Sequence, residues 1–341
     1  MERKLGSVQR ISEIKEHSNA DSLEIAKVLG WTVIVKKGEF KPGDLCVYCE
    51  VDSIMPERDE FEFLRNKHFR IKTMRLRGVI SQGICFPMPI LYGSEVPNKE
   101  VEFEPVWHEG DDVTDTLGII KYDPPVPACL SGQVKGMRPS FVPKTDETRI
   151  QVVPGVLKRC NGKKLYITEK LDGSSGSYYW KDGDSGVCSR KLDIKEDDNN
   201  SFWKVAHKYD MISKMGGYNR NIAIQGELLG PGVQGNKYKL SDHDLFVFNV
   251  YDIDKSEYVN LDEMIKVVGL LGMKMVPMVG EITLDNTTVE QMVEMAAGKS
   301  ALCETKREGI VLRPFEEERD DELGRLSIKV INPGFLLKHD D

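Results

Sequence analysis

"TEKLDGSSG", residues 168–176, sets how the rest of the chain is read. The run before it, "KLYIT", has the apolar, β-branched character of a strand. It delivers Lys170 to the end of a sheet, and Asp172-Gly173-Ser174-Ser175-Gly176 follows at once. Lysine is a poor nucleophile at its reference pKa of about 10.4. It becomes reactive where burial or neighbouring cations destabilise the ammonium form. Gly173 and Gly176 allow a ligand close to the backbone, and Asp172 brings a carboxylate suited to orienting a hydrated metal ion. Taken alone, the same residues read equally well as an Asp-Gly hairpin turn beside an ordinary lysine.

Three segments further along favour the chemical reading. "IQGELLGPG" sets Glu227 at the end of an apolar strand, just before a Gly/Pro loop. In "KREGIVLRP", Glu308 precedes an apolar strand that ends in Arg313, and "LSIKVINP" places Lys329 inside another. A lone charge in such a strand costs several kcal/mol if it is buried without a partner. Two carboxylates and an amine on three strands therefore imply one polar cleft. Its carboxylates could hold a divalent ion while its lysines and arginine neutralise phosphates.

Residues 1–120 alternate short β-rich runs with Gly/Pro/Asp turns, as in "WTVIVKKGEF", "KPGD" and "LCVYCEV". That spacing predicts a small OB-type β-barrel. Basic residues gather in "RNKHFRIKTMRLRG" (65–78) around Phe69, either as a solvated strand edge or as a strand tracking a phosphate backbone. Prolines 124, 125, 127, 139 and 143 mark 121–148 as a semi-extended linker. From 149 to 341 strands interleave with helical stretches, "NNSFWKVAHKYDMISKMGG", "LDEMIKVVGLLG" and "TVEQMVEMAAG", giving an α+β pattern of antiparallel sheets. The chain is 40% hydrophobic and 30% charged, as in a soluble globular protein, and carries a net charge of −8. That balance argues mildly against nucleic acid but leaves room for a local basic groove. Seven scattered cysteines suggest buried thiols rather than a disulfide framework, and Cys46 and Cys49 lack partners for a zinc site. There is no signal-like or membrane-length apolar run, so an intracellular setting, cytoplasmic or nuclear, is expected. "GPGVQG" (230–235) matches GxGxxG but does not lead into a helix, so it is set aside as a dinucleotide site. The six histidines show no ligand spacing.

"EKLDGS" resembles motif I, KxDG, of the covalent nucleotidyltransferases, the polynucleotide ligases and mRNA capping enzymes. "CSRK" (188–191) resembles motif Ia, "GELLG" motif III, "FVFNV" (246–250) motif IIIa, "EGIVLRP" motif IV and "SIKVIN" motif V, in the family's order. "GELLGPG" and "EGIVLRP" are closest in form to the RNA ligases. An OB-like domain ahead of the transferase domain, rather than behind it, is similar to the Naegleria/Deinococcus-type RNA ligases. The implied fold is an N-terminal OB-like β-barrel followed by an ATP-grasp-like nucleotidyltransferase core of antiparallel sheets flanked by helices.

The resemblance implies an ATP-dependent RNA ligase, a monomer acting on RNA with no membrane partner, with Mg²⁺ or Mn²⁺ as cofactor. It would join 3′-OH and 5′-phosphate ends at nicks in duplex RNA, in RNA repair. It implies Lys170 as the nucleophile that forms lysyl-AMP, with Glu227 and Glu308 near the catalytic metal and ribose. Asp172 and Glu227 would hold the metal through water. Glu169 would sit at the adenine edge, Phe248 would stack on the base, and Arg190 would meet phosphate or ribose. Arg313 would meet the triphosphate or its ribose, and Arg149 a phosphate. Lys329 would bind the α-phosphate and keep Lys170 partly deprotonated by repulsion. Two departures stand out: Ile331 occupies the place of a second motif V lysine, leaving Lys329 alone or helped by Lys338 or Arg325, and Ser175 stands where some RNA ligases have asparagine. A capping-type guanylyltransferase, a DNA ligase and a catalytically silent RNA-binding protein are the alternatives.

Overall fold

A computed structural model of the chain describes residues 4–92, 107–122, 133–218 and 220–339. Its contacts divide the chain into two units: Met1–Pro125 with Ile150–Val156 and Leu336–Asp341, and Val126–Arg149 with Leu157–Phe335. Prolines 124, 125 and 127 of the expected linker lie outside the described residues.

The first unit is an OB-type sheet built around one long strand, Gly6–Glu16. Its first half pairs with Leu45–Cys49 and its second half with Leu23–Val28, with a register shift between Ile11 and Glu13 where the strand changes neighbours. Trp31–Lys36 and Ile84–Pro87 complete five antiparallel strands and form the two edges. Alternation along Trp31–Lys36 turns Trp31, Val33 and Val35 into a core shared with Val8, Val47, Tyr48 and Phe61. Cys46 and Cys49 are both buried free thiols in that core. The basic stretch departs from a single strand: Asp59–Lys67 is a 3₁₀ helix, and a short hairpin, Met74–Leu76 with Val79–Ser81, follows. Phe69 is buried rather than offered to a ligand, with the Arg65 guanidinium 5.2 Å from its ring centre.

The second unit contains two large sheets. In the eight-stranded one, Ser174–Lys181 and Ile222–Leu229 are central, flanked by Asp184–Cys188 and Asp244–Asp252. Val134–Met137, within the segment expected as linker, closes one edge by pairing with Leu192–Ile194. The five-stranded sheet runs in the order Thr148–Arg149, Ile328–Ile331, Gly309–Pro314, Lys164–Lys170, Met278–Thr283. The expected long helix over 199–217 is two, Ser201–Lys208 and Met211–Gly217, because Asp210 at φ 50° takes a left-handed turn between them. Leu261–Leu271 ends at Gly272 in the left-handed region, and Val289–Ala296 opens with a Thr288/Gln291 capping box. Among the described residues no helix is long and apolar enough to cross a membrane.

Candidate active site

Lys170 is the last residue of its strand in the five-stranded sheet, and only Leu171–Gly173 separate it from Ser174–Lys181 in the eight-stranded sheet. The nucleophile candidate thus stands where the chain crosses from one sheet to the other. Lys170 lies opposite Gly309, which lies opposite Ile331, while Lys329 faces Val311. A Cβ on Gly309 would run into the Val330 carbonyl, so glycine is what lets these two strands close. The backbone N–H of Asn332 donates to the Glu308 carbonyl at 2.8 Å, anchoring the residue just before the strand.

The carboxylates converge on the amine. Lys170 Nζ donates to both Glu308 oxygens at 2.7 Å, with the side chains only 27% and 13% exposed. Glu227 arrives from the other sheet, opposite Ser175, and its Oε1 accepts from the Gly173 N–H at 3.0 Å. Asp172 holds an ion pair with Lys237, and its backbone N–H donates to the Tyr238 hydroxyl at 2.8 Å. Gly173 has no room for a Cβ, which would meet the Leu228 carbonyl and the Leu229 side chain. The acids around the amine, rather than Lys329, dominate its electrostatics in the structure. Burial pushes the Lys170 pKa down, but the carboxylates of Glu308, Glu227 and Asp172 outweigh it, so the amine titrates above its ordinary range. Burial pushes the Glu227 carboxyl up to about 8 against the attraction of Lys170, and raises Glu308 as well.

A packed apolar cluster adjoins these carboxylates, formed by Leu171, Leu229, Tyr238, Phe246 and Val276 with half-buried Phe248 and Leu302 against them. Phe248 is the extra residue of a bulge, because Gln225 pairs with Asn249 while Gly226 pairs with Val247. A bulge re-aims its side chain relative to plain alternation. Glu169 is 1% exposed; its Oε2 accepts from the Ala301 N–H at 2.7 Å, whereas Oε1 is buried with no hydrogen-bond partner. Burial raises its pKa, opposed by Ser300 and the Ala301 N–H. An orphaned acceptor beside the half-buried Phe248 ring suits an adenine, whose exocyclic amine needs an acceptor and whose ring needs a stacking face.

The remaining predicted residues divide. Arg149 lies beside Lys329 in a parallel pairing. Arg190 is on the surface, 2.7 Å from Asp146. Arg313 corrects the expectation of a triphosphate contact: it is 2% exposed, and its three nitrogens donate to Ser327 Oγ, the Phe248 carbonyl and Glu147, each at 2.8 Å. Each nitrogen of its fork is engaged inside the protein, where it braces the Phe248 bulge. Ile331 is buried, and Arg325 is engaged by Glu317 and Asn249 while lying 3.6 Å from the Tyr258 ring centre. Lys237 and Tyr238 went unpredicted; their one signal was "NKYKL" directly after the GxGxxG match. Within that loop Gln234–Asn236 is a single 3₁₀ turn, consistent with setting the dinucleotide reading aside.

Two sheets meeting at a KxDG lysine, with glutamates from both, define the class as a covalent nucleotidyltransferase carrying an OB-type domain. Family models agree: an OB-fold domain matches residues 5–88 and an RNA ligase domain residues 163–331. Among solved structures, Naegleria gruberi RNA ligase with PPi is 37% identical, with 99% of each chain covered and a TM-score of 0.86. A variant of that enzyme with ATP and Mn is 37% identical, covering 99% of this chain and 100% of that one, with a TM-score of 0.86. Another, with AMP and Mn, is 36% identical over 99% of each chain, with a TM-score of 0.87. No curated protein sequence matches. The chain belongs to the RNA ligase family.

Proposed function

We propose that this protein is an ATP-dependent RNA ligase that joins 3′-OH and 5′-phosphate ends through lysyl-AMP and RNA-adenylate, sealing nicks in duplex RNA as a repair activity. The observation that carries this reading is the Lys170 amine held 2.7 Å from both oxygens of Glu308, where the two sheets meet. Glu308, with both oxygens 2.7 Å from Nζ, takes its proton. Nζ then attacks the α-phosphorus of ATP; an N–P bond forms and the bond to the β-phosphate oxygen breaks, releasing pyrophosphate. Glu169 Oε1 accepts from the adenine amine and Phe248 stacks on the ring. Lys329, with Arg149 beside it, meets the α-phosphate charge. An oxygen of the RNA 5′-phosphate displaces Lys170 from the adenylate, and a 3′-OH attacks the activated 5′-phosphorus and expels AMP.

Three carboxylates, Asp172, Glu227 and Glu308, supply oxygen donors suited to a hard cation. Among the described residues no three His, Cys, Asp or Glu side chains are grouped to ligate an ion directly, which fits Asp172 and Glu227 holding it through water. Mg²⁺ or Mn²⁺ bound there neutralises phosphate charge.

Incubation with α-labelled ATP and Mn²⁺ is expected to leave label covalently on the wild type through denaturation, and none on Lys170→Ala. Full labelling of Lys170→Ala would end the assignment, and label from GTP in place of ATP would make it a capping-type guanylyltransferase. Matched nicked RNA and DNA duplexes, assayed side by side, then test the substrate, with faster sealing of the RNA nick expected.

A further inference from the structure

The loop after Glu227 matched a nucleotide-binding pattern it does not form, yet its backbone is held in unusual conformations. Gln234, Asn236 and Lys239 all have φ between 44° and 55°, the left-handed region that non-glycine residues seldom occupy. Asn236 closes the loop on itself: its side chain donates to the Leu240 carbonyl at 2.9 Å and accepts from the Leu240 N–H at 3.0 Å. The residues presented between these turns are Lys237 and Tyr238, and both contact Asp172. Lys237 Nζ pairs with the Asp172 carboxylate, and the Tyr238 hydroxyl accepts the Asp172 N–H at 2.8 Å. Both are fixed from behind. Lys237 Nζ lies 4.9 Å from the Phe335 ring centre, and Tyr238 is 5% exposed in the apolar cluster with Leu171. Persistently strained backbone at one spot is a reason to look for function there.

The chain also lacks the second lysine of motif V, where buried Ile331 stands, and Arg325 is engaged by Glu317 and Asn249. We propose that the 230–240 loop is a clamp on the motif I turn, with Lys237 as a positioning residue that supplies the site's missing cation by fixing the Asp172 carboxylate two residues beyond the nucleophile. The groups coupled to this carboxylate are Lys170, Glu227, Glu308 and Lys237, so without Lys237 only Lys170, with Lys329 acting on Glu308, is left against three acids. The turn then loses its orientation and Lys170 its line of attack.

This inference rests on the lysyl-AMP reading but is tested separately from it, because labelling of wild type and its absence in Lys170→Ala judge that reading alone. Single-turnover labelling with ATP is measured for Lys237→Ala, Lys237→Arg and Tyr238→Phe, each first checked by thermal melting. The expected result is a labelling rate at saturating ATP lowered about tenfold or more in Lys237→Ala, as small displacements of reacting groups produce. The half-saturating ATP concentration should change less than about threefold. Lys237→Arg should recover most of the rate, and Tyr238→Phe should show a smaller loss. A wild-type rate in folded Lys237→Ala overturns the proposal. So does an effect confined to half-saturation, which marks direct ligand contact, or an Arg variant no better than Ala. If Lys237→Ala does not fold, Lys237→Met carries the same comparison with the aliphatic stem kept.

Discussion

Arg313 shows how far a single residue can be read from sequence. Its place at the end of an apolar strand in a phosphate-transfer motif suggests a ligand contact, yet its partner is Glu147, 166 residues earlier. The pair is buried, at 2% and 15% side-chain exposure and 2.8 Å apart. Burial pushes the Glu147 carboxyl up, but Arg313 and Arg325 outweigh it and hold it below its ordinary range. Breaking such a pair leaves a buried charge uncompensated, so Glu147→Gln is expected to cost about 3–5 kcal/mol at pH 7. A depressed carboxylate contributes stability above its unfolded pKa of about 4.3 and loses it as the pH falls through the folded value. The difference in urea midpoint between wild type and Glu147→Gln should therefore be full at neutral pH and shrink toward zero in acid. A gap of equal size at both ends would show that the pair's charge is not what matters.

At the scale of strands and helices, the period of two was easy to read. "KLYIT", "IQGELL" and "GIVLRP" all became sheet strands; Lys170 at the end of the first, Glu227 within the second and Glu308 just ahead of the third come together at the crossing between sheets. What the pattern could not show is the bulge at Phe248, or the break at Asp210 that divides one apparent helix into two. The bulge depends on pairing with a strand more than twenty residues away, and the break on a backbone conformation that periodicity does not report. Gly309 belongs to this scale because its missing side chain sets the spacing between the strand that follows Glu308 and the strand that carries Lys329. Gly309→Ala should push these strands apart, lowering stability by about 1–3 kcal/mol, the usual cost of forcing atoms into a packed interior. Adenylate labelling measured below the variant's melting temperature should fall as well. Wild-type labelling in a variant that melts early would mean the Glu308–Lys329 spacing tolerates slack.

For the whole molecule, a net charge of −8 sits uneasily with an RNA substrate unless binding is local. The N-terminal unit offers one such place, the hairpin Met74–Ser81 with exposed Arg75 and Arg77. If these arginines meet phosphates, Arg75→Ala/Arg77→Ala should weaken RNA binding and make the salt dependence of log K shallower by about 2. Lysine adenylylation, which involves no RNA, should be unaffected. Fluorescence anisotropy with labelled duplex RNA at several salt concentrations measures the slope, and an unchanged slope places the contact elsewhere.

Class, domain order and the candidate nucleophile could be picked out from residues close together in the chain, because a motif, a turn and an alternating strand are local patterns. The state of charge around that nucleophile could not. Lys170 and Glu308 are 138 residues apart, and Lys237 reaches Asp172 across 65. Coulomb energy and desolvation depend on distances and burial that exist only once the two sheets have come together. Folding alone made one arginine an internal brace and an unremarked lysine the partner of Asp172.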